Sequence, residues 1–157
     1  MSGRLAIIAG TTMTACGPAR PEPVAPQAFK STVQLAVLPA ESDSFPGAAR
    51  AVSSSLALAK VKGTDETKIS KVSLEVAQLA VECVEPTGAC YEAVGRSMSA
   101  NRLLFARIDS ATRRQLKVTV TLFDVDANAA LKTAEKVFAT ETEAARGAAA
   151  LVDEVTR

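Results

Sequence analysis

The stretch from Cys83 to Ile108 constrains the fold more than any other part of the chain. It reads C-V-E-P-T-G-A-C-Y-E-A-V-G-R-S-M-S-A-N-R-L-L-F-A-R-I. The first cysteine ends an apolar helical pattern, and the second opens another helix after a turn that contains Pro86 and Gly88. That helix leads directly into a strongly apolar strand. We therefore expect a helix-turn-helix-strand unit around which the other elements pack.

The N-terminus has the plan of a secretory signal peptide. Arg4 precedes a short apolar run over residues 5–9, and small residues follow. The run is too short to span a bilayer. The sequence M-T-A-C that ends at Cys16 resembles a bacterial lipobox, which implies cleavage before Cys16 and acylation of its sulfur. The alternative is a disordered apolar N-terminus with an incidental cysteine.

A proline-rich segment follows Cys16. Four of the seven prolines lie within residues 17–30, and such a run favours an extended polyproline II spacer over a packed core. We therefore divide the chain into a signal peptide (1–15), a lipidated cysteine with a proline-rich tether (16–30) and a single α/β domain (31–157).

The remaining cysteines, Cys83 and Cys90, are separated by six residues, which is enough chain to reverse direction and bring the sulfurs together. Export to an oxidising compartment makes a disulfide the default. Two thiolates without histidine leave a metal site incomplete, and redox-active pairs usually have the tighter Cys-x-x-Cys spacing. We expect a structural disulfide, with two buried free thiols as the alternative.

The domain pattern begins with an apolar, β-rich run over 32–38, which predicts a central strand. Ser44 is the expected cap of the first helix and Gly63 its expected C-cap. Later helices are predicted at 73–83 with Ser73 as the cap, after a cap at Thr87, and after a capping box that begins at Thr140. The other predicted strands cover 64–72 at an edge of the sheet, 102–108, 115–125 and 131–139.

The predicted order of elements is β-α-β-α-α-β-β-β-α. The first half suggests α/β crossovers and the second half an antiparallel meander. We therefore predict an α/β fold with α+β character, in which helices flank a mixed, roughly five-stranded sheet.

Little in the sequence suggests catalysis. The chain contains no histidine, which excludes Ser-His-Asp and Cys-His machinery and histidine-ligated metals. Lys and Arg number 18 against 17 Asp and Glu, so there is no basic excess of the kind that nucleic-acid binding requires. Asp124 and Asp126 could support acid–base chemistry or calcium binding, but we interpret them as the polar end of a hairpin. We expect no cofactor, no metal and no enzymatic activity.

A local basic cluster is formed by Arg107, Arg113, Arg114 and Lys117. It is a candidate contact for phosphate headgroups or an acidic partner. The alternative is a solvated turn without a function.

From about Thr32 to Arg157, the chain resembles the envelope α/β domain shared by the TolB amino-terminal region and the curli-pore (CsgG-like) lipoprotein family. The matching segments are V-Q-L-A-V-L-P, the cysteine-flanked turn before R-L-L-F-A-R-I, and the hairpin sequence V-T-V-T-L-F-D-V-D. The resemblance implies a non-enzymatic assembly or interaction domain, and it carries over no functional residues.

We therefore predict an envelope lipoprotein, anchored through Cys16 and facing the periplasm, whose domain binds another envelope protein. Gly17 follows the cysteine where aspartate would favour the inner membrane, so we expect the outer membrane. The alternatives are a subunit of an oligomeric secretion or motility assembly, which would form discrete oligomers, and a small-ligand sensor, which would need a polar-lined pocket. The oligomeric state is left open.

Overall fold

A computed structural model describes residues 32–83 and 85–157. The predicted signal peptide, the predicted lipidation of Cys16 and the predicted tether lie outside these residues. The described residues form five strands and four helices in the predicted order. The elements are β1 (Gln34–Val37), α1 (Pro46–Ala57), β2 (Glu66–Ile69), α2 (Leu74–Ala80), α3 (Gly88–Ser97), β3 (Arg102–Ser110), β4 (Leu116–Asp124), β5 (Ala129–Phe138) and α4 (Glu141–Thr156).

The strands form a mixed sheet with the spatial order β2-β1-β3-β4-β5. Strand β1 runs parallel to both of its neighbours, whereas β3, β4 and β5 form an antiparallel meander. The sequence predicted crossover connections in the first half of the chain and an antiparallel meander in the second half, and this topology is confirmed. The edge position of β2 and the internal position of β1 are confirmed as well.

Each face of the sheet buries its own apolar cluster, because successive side chains of a strand point to opposite faces. Leu35 and Val37 join a cluster with α1 and α4, whereas Ala36 and Leu38 join a cluster with α2 and α3. Four alternate β4 residues all lie in the first cluster, namely Leu116, Val118, Val120 and Leu122.

Helix α4 begins as its sequence predicts. The Thr140 hydroxyl accepts a hydrogen bond from the Glu143 N–H, and the Glu143 carboxylate accepts one from the Ala139 N–H. The capping box therefore forms, although the carboxylate reaches one residue further back than usual. The apolar face of α4 is buried, namely Ala144, Ala148, Leu151, Val152 and Val155.

Two predictions for α1 are wrong. The N-cap is Phe45 rather than Ser44, and no side chain of its own segment caps the helix. The helix also ends at Ala57, well before Gly63, which adopts a φ of 71° in the turn that leads to β2. Gly63 is thus required by that turn and not by the helix end.

One free N–H group at the start of α1 is satisfied from another helix. A carboxylate oxygen of Glu141, at the start of α4, accepts a hydrogen bond from the Ala48 N–H at 2.9 Å. A Cβ on Gly47 would lie 2.8 Å from the same oxygen, so the absence of a side chain there gives the carboxylate its access. Since the N-terminus of a helix favours negative charge, this contact joins α1 to α4 electrostatically as well as by packing.

None of the helices in the described part of the chain is both long enough and apolar enough to cross a membrane.

We expect Glu141→Ala to lower the free energy of unfolding by about 1–2 kcal/mol, because it removes a cap from α1. Glu141→Gln keeps an acceptor oxygen and should cost less. Glu154→Ala, on the exposed face of the same helix, is the control and should change stability by less than about 0.5 kcal/mol. Urea unfolding followed by circular dichroism measures all three. Equal losses for Glu141→Ala and Glu154→Ala would contradict the capping role.

Candidate interaction surface

A disulfide joins Cys83, just after α2, to Cys90 in the first turn of α3, with the Cα atoms 5.6 Å apart. The bond expected from the cysteine spacing is therefore present. Cys90 is buried and Cys83 is half-buried. The Gln78 side chain, itself buried, donates a hydrogen bond to the Cys90 sulfur at 3.2 Å. The two helices are thus fixed to each other at the turn between them.

Helix α2 is shorter than its apolar pattern predicts, ending at Ala80 rather than at Cys83. The Cys83 N–H donates to the Gln78 carbonyl, and the Glu82 N–H donates to the Leu79 carbonyl. Glu82 has a φ of 56°, so this is a Schellman motif with a non-glycine residue in the left-handed position. The motif turns the chain so that Cys83 faces α3.

Helix α3 lies on the sheet through aromatic and small side chains. The ring of Tyr91 lies 4.8 Å from that of Phe105 and 5.4 Å from that of Phe123, measured between centroids. A Cβ on Gly95 would collide with Val125, so glycine allows the close approach of this helix. The Thr87 hydroxyl accepts from the Cys90 N–H at 3.3 Å, which confirms the predicted cap.

The outer side of the α2 segment carries three exposed apolar residues, which we call the α2 ridge. Val72 is 43% exposed, Val76 44% and Leu79 66%. Val76 and Leu79 are three residues apart on the outer side of the helix, and Val72 lies just before the Ser73 cap, while Leu74 and Ala77 face the core. The sequence signal for the ridge was an apolar pattern around most of the helix. Only the fold shows which of these residues stay exposed.

The predicted basic cluster is divided by the structure. Arg107 and Lys117 lie on the same face of the sheet as α2 and α3. They are on the part of β3 and β4 that these helices do not cover. Arg107 is 3.9 Å from Asp109, and Lys117 is 3.7 Å from Glu135. These carboxylates offset part of the positive charge. Arg113 and Arg114 are exposed in the β3–β4 turn.

Asp124 and Asp126 have local structural partners. Asp124 accepts a hydrogen bond from the Ala127 N–H at 2.8 Å, and Asp126 accepts one from the Asn101 side chain at 2.9 Å. Asn128 completes the hairpin turn with a φ of 49°. Within residues 32–83 and 85–157, no group of three potential metal ligands comes together. The hydrogen bonds agree with the interpretation as a polar hairpin end.

Several solved structures are distantly similar to this chain. The LpoB C-terminal domain from Salmonella enterica is 15% identical, with a TM-score of 0.44 over 71% of this chain and 87% of that one. The corresponding domain from Escherichia coli is 14% identical, with a TM-score of 0.43 over 68% and 82%. The PelC dodecamer from Paraburkholderia phytofirmans is 16% identical, with a TM-score of 0.38 over 79% and 86%. No family model and no curated protein matches the chain. Similarities this distant identify neither a function nor a partner.

We expect Cys83→Ser to lower the free energy of unfolding by about 2.5 kcal/mol in oxidising buffer, because the closed loop no longer restricts the unfolded chain. In reducing buffer, the variant and the unmodified protein should melt together. Thermal unfolding in both buffers measures the effect. Equal melting temperatures in oxidising buffer would show that the disulfide does not stabilise the domain.

Proposed function

We propose that this protein is an envelope lipoprotein, anchored through Cys16, whose α/β domain binds another envelope protein on the periplasmic side without catalysing a reaction. The observation that carries the binding part of the proposal is the α2 ridge. The lipidation and the outer-membrane location rest on the sequence.

Two features support the anchor. The lipobox-like sequence that ends at Cys16 is followed directly by a proline-rich segment suited to act as a spacer. The disulfide between Cys83 and Cys90 also fits an oxidising compartment, because such bonds are rare in the reducing cytosol.

The α2 ridge suits a protein partner because its apolar side chains are exposed on a rigid support. Helix α2 has only seven residues, and a helix of that length is marginal by itself. Here the Ser73 cap, the Schellman motif and the disulfide hold it in place. A partner that covers Val76 and Leu79 would gain their burial without having to order the helix first.

The proposal includes no catalysis. The chain contains no histidine, and Asp124 and Asp126 are occupied by the hydrogen bonds that shape their turn. A contribution of Arg107, Arg113, Arg114 and Lys117 to a partner's acidic rim is a secondary part of the proposal. The ion pairs of Arg107 and Lys117 weaken it.

The anchor is tested by the intact mass of the protein extracted from membranes with detergent. We expect a chain that begins at Cys16 and carries acyl groups, and we expect its mass to rise by two hydrogens on reduction. An unmodified full-length chain with free thiols would contradict the anchor, the disulfide and the envelope location together.

The ridge is tested by a photo-crosslinking amino acid at position 76 of the full chain in intact envelopes. We expect a discrete adduct with a second protein, and we expect Leu79→Lys to reduce it by at least about tenfold, since a buried leucine is worth about 1.5–3 kcal/mol. The matched control is Leu58→Lys, which changes a leucine that is 82% exposed at the end of α1.

Three results would count against the ridge as a heterologous binding site. These are no adduct from position 76, an adduct that survives Leu79→Lys, and equal losses for Leu79→Lys and Leu58→Lys. An adduct with the mass of two copies of this chain would instead favour a subunit of an oligomeric assembly.

A further inference from the structure

A second feature lies on the opposite face of the sheet, around the loop that joins α1 to β2. A depression of about 270 Å³ opens between this loop, the start of β3, β5 and the end of α4. We call it the basic depression. Its lining consists of Val61, Lys62, Arg102, Leu122, Leu131, Lys132, Val155, Thr156 and Arg157.

The rim of the basic depression is strongly cationic. Lys62, Arg102, Lys132 and Arg157 come from four separate parts of the chain, and no acidic side chain is among the lining residues. An adjoining depression of about 370 Å³ adds Lys60 and one carboxylate, Asp153. The whole chain has a formal charge of only +1, so this concentration of positive charge is local. It creates a field that attracts anions.

Two of the four cations are held in place, and two are uncommitted. The Arg102 guanidinium donates to the carbonyls of Lys62 and Gly63 at 3.0 and 3.3 Å, which fixes its position at the rim. Arg157 pairs with Asp153 at 2.9 Å. Among the described residues, the side chains of Lys62 and Lys132 make no ion pair, and both are exposed.

The floor of the basic depression is apolar. Val61, Leu122 and Val155 are buried beneath it, and Leu131 is 46% exposed at its side. An inorganic anion would use only the rim. A ligand that joins an anionic group to a hydrocarbon chain would match both the rim and the floor.

Protection of an open sheet edge explains only part of this arrangement. Lys132 lies on the edge strand β5, where lysine discourages pairing with other chains. Lys62 and Arg157 are not in strands, and Arg102 begins the internal strand β3. Edge protection therefore does not account for the convergence of four cations on one apolar depression.

We propose that the basic depression binds an amphiphilic anion, that is, a phosphate or carboxylate group attached to a short alkyl chain. The volume of about 270 Å³ is slightly below the range of small-molecule sites, roughly 300–1,000 Å³, which restricts the ligand to a short chain. The source is either a soluble molecule or the headgroup region of an anionic lipid, and the two share this chemistry. The site is independent of the α2 ridge, because α2 lies on the other face of the sheet.

The test is a titration of the full chain with octyl phosphate, followed by amide NMR shifts. We expect saturable shifts at Lys62, Arg102 and Leu131. The double variant Lys62→Glu/Lys132→Glu should weaken binding by at least about tenfold, the equivalent of about 1.4 kcal/mol. The matched control is Lys71→Glu/Arg146→Glu, which makes the same change in net charge at exposed positions away from the lining. Its binding should be unchanged, and both variants should keep the melting temperature.

Several outcomes would overturn the proposal. Without saturable binding there is no site. If inorganic phosphate binds as tightly as octyl phosphate, the apolar floor contributes nothing to binding. If octyl glucoside binds as tightly as octyl phosphate, the cationic side chains contribute nothing to binding. Equal losses of octyl phosphate binding in the two double variants would show that binding depends only on the net charge of the protein.

Vesicles with and without an anionic phospholipid distinguish the two sources. Binding to the anionic vesicles that is lost in Lys62→Glu/Lys132→Glu would support a lipid headgroup as the source. Binding confined to monomeric octyl phosphate would support a soluble ligand. Either result supports the proposed chemistry.

Discussion

Strands β3 and β4 pair over nine consecutive positions, from Arg102 opposite Asp124 to Ser110 opposite Leu116. The other elements depend on this ladder, because its alternating side chains supply both apolar clusters. Leu104 and Val118 belong to the cluster under α1 and α4, and a one-residue slip of the pairing would turn such residues to the wrong face. The ladder also places β1 on one side and β5 on the other. The α2 ridge and the basic depression therefore lie on opposite faces of one frame.

The unit formed by α2 and α3 shows how short helices are held on such a frame. Both helices end in a left-handed residue that is not glycine, Glu82 after α2 and Ser99 after α3. In each case the next residue donates back to the last turn, to the carbonyls of Gln78 and Gly95. A left-handed non-glycine residue costs about 1 kcal/mol, which these hydrogen bonds, the packing and the disulfide offset. The same constraints keep the ridge in a fixed position.

Charge is distributed in a way that the balanced composition conceals. On the part of β3 and β4 that α2 and α3 do not cover, Lys117 lies 3.7 Å from Glu135, so the basic cluster visible in the sequence is partly neutralised. At the basic depression, Lys62 and Lys132 are far apart in the sequence, and no acidic side chain is among the lining residues. The concentrated positive charge is therefore at the site that the sequence does not reveal.

The sequence by itself determined the order of elements, the edge position of β2, the caps at Ser73, Thr87 and Thr140, and the cysteine pair. These features follow from patterns that span only a few residues. The tertiary structure decided the start of α1, where a cap from Glu141, 93 residues away, replaced the expected Ser44. It also decided which apolar residues of α2 stay exposed and where four distant cations meet. Such features depend on which elements become neighbours, and local patterns carry no information about that.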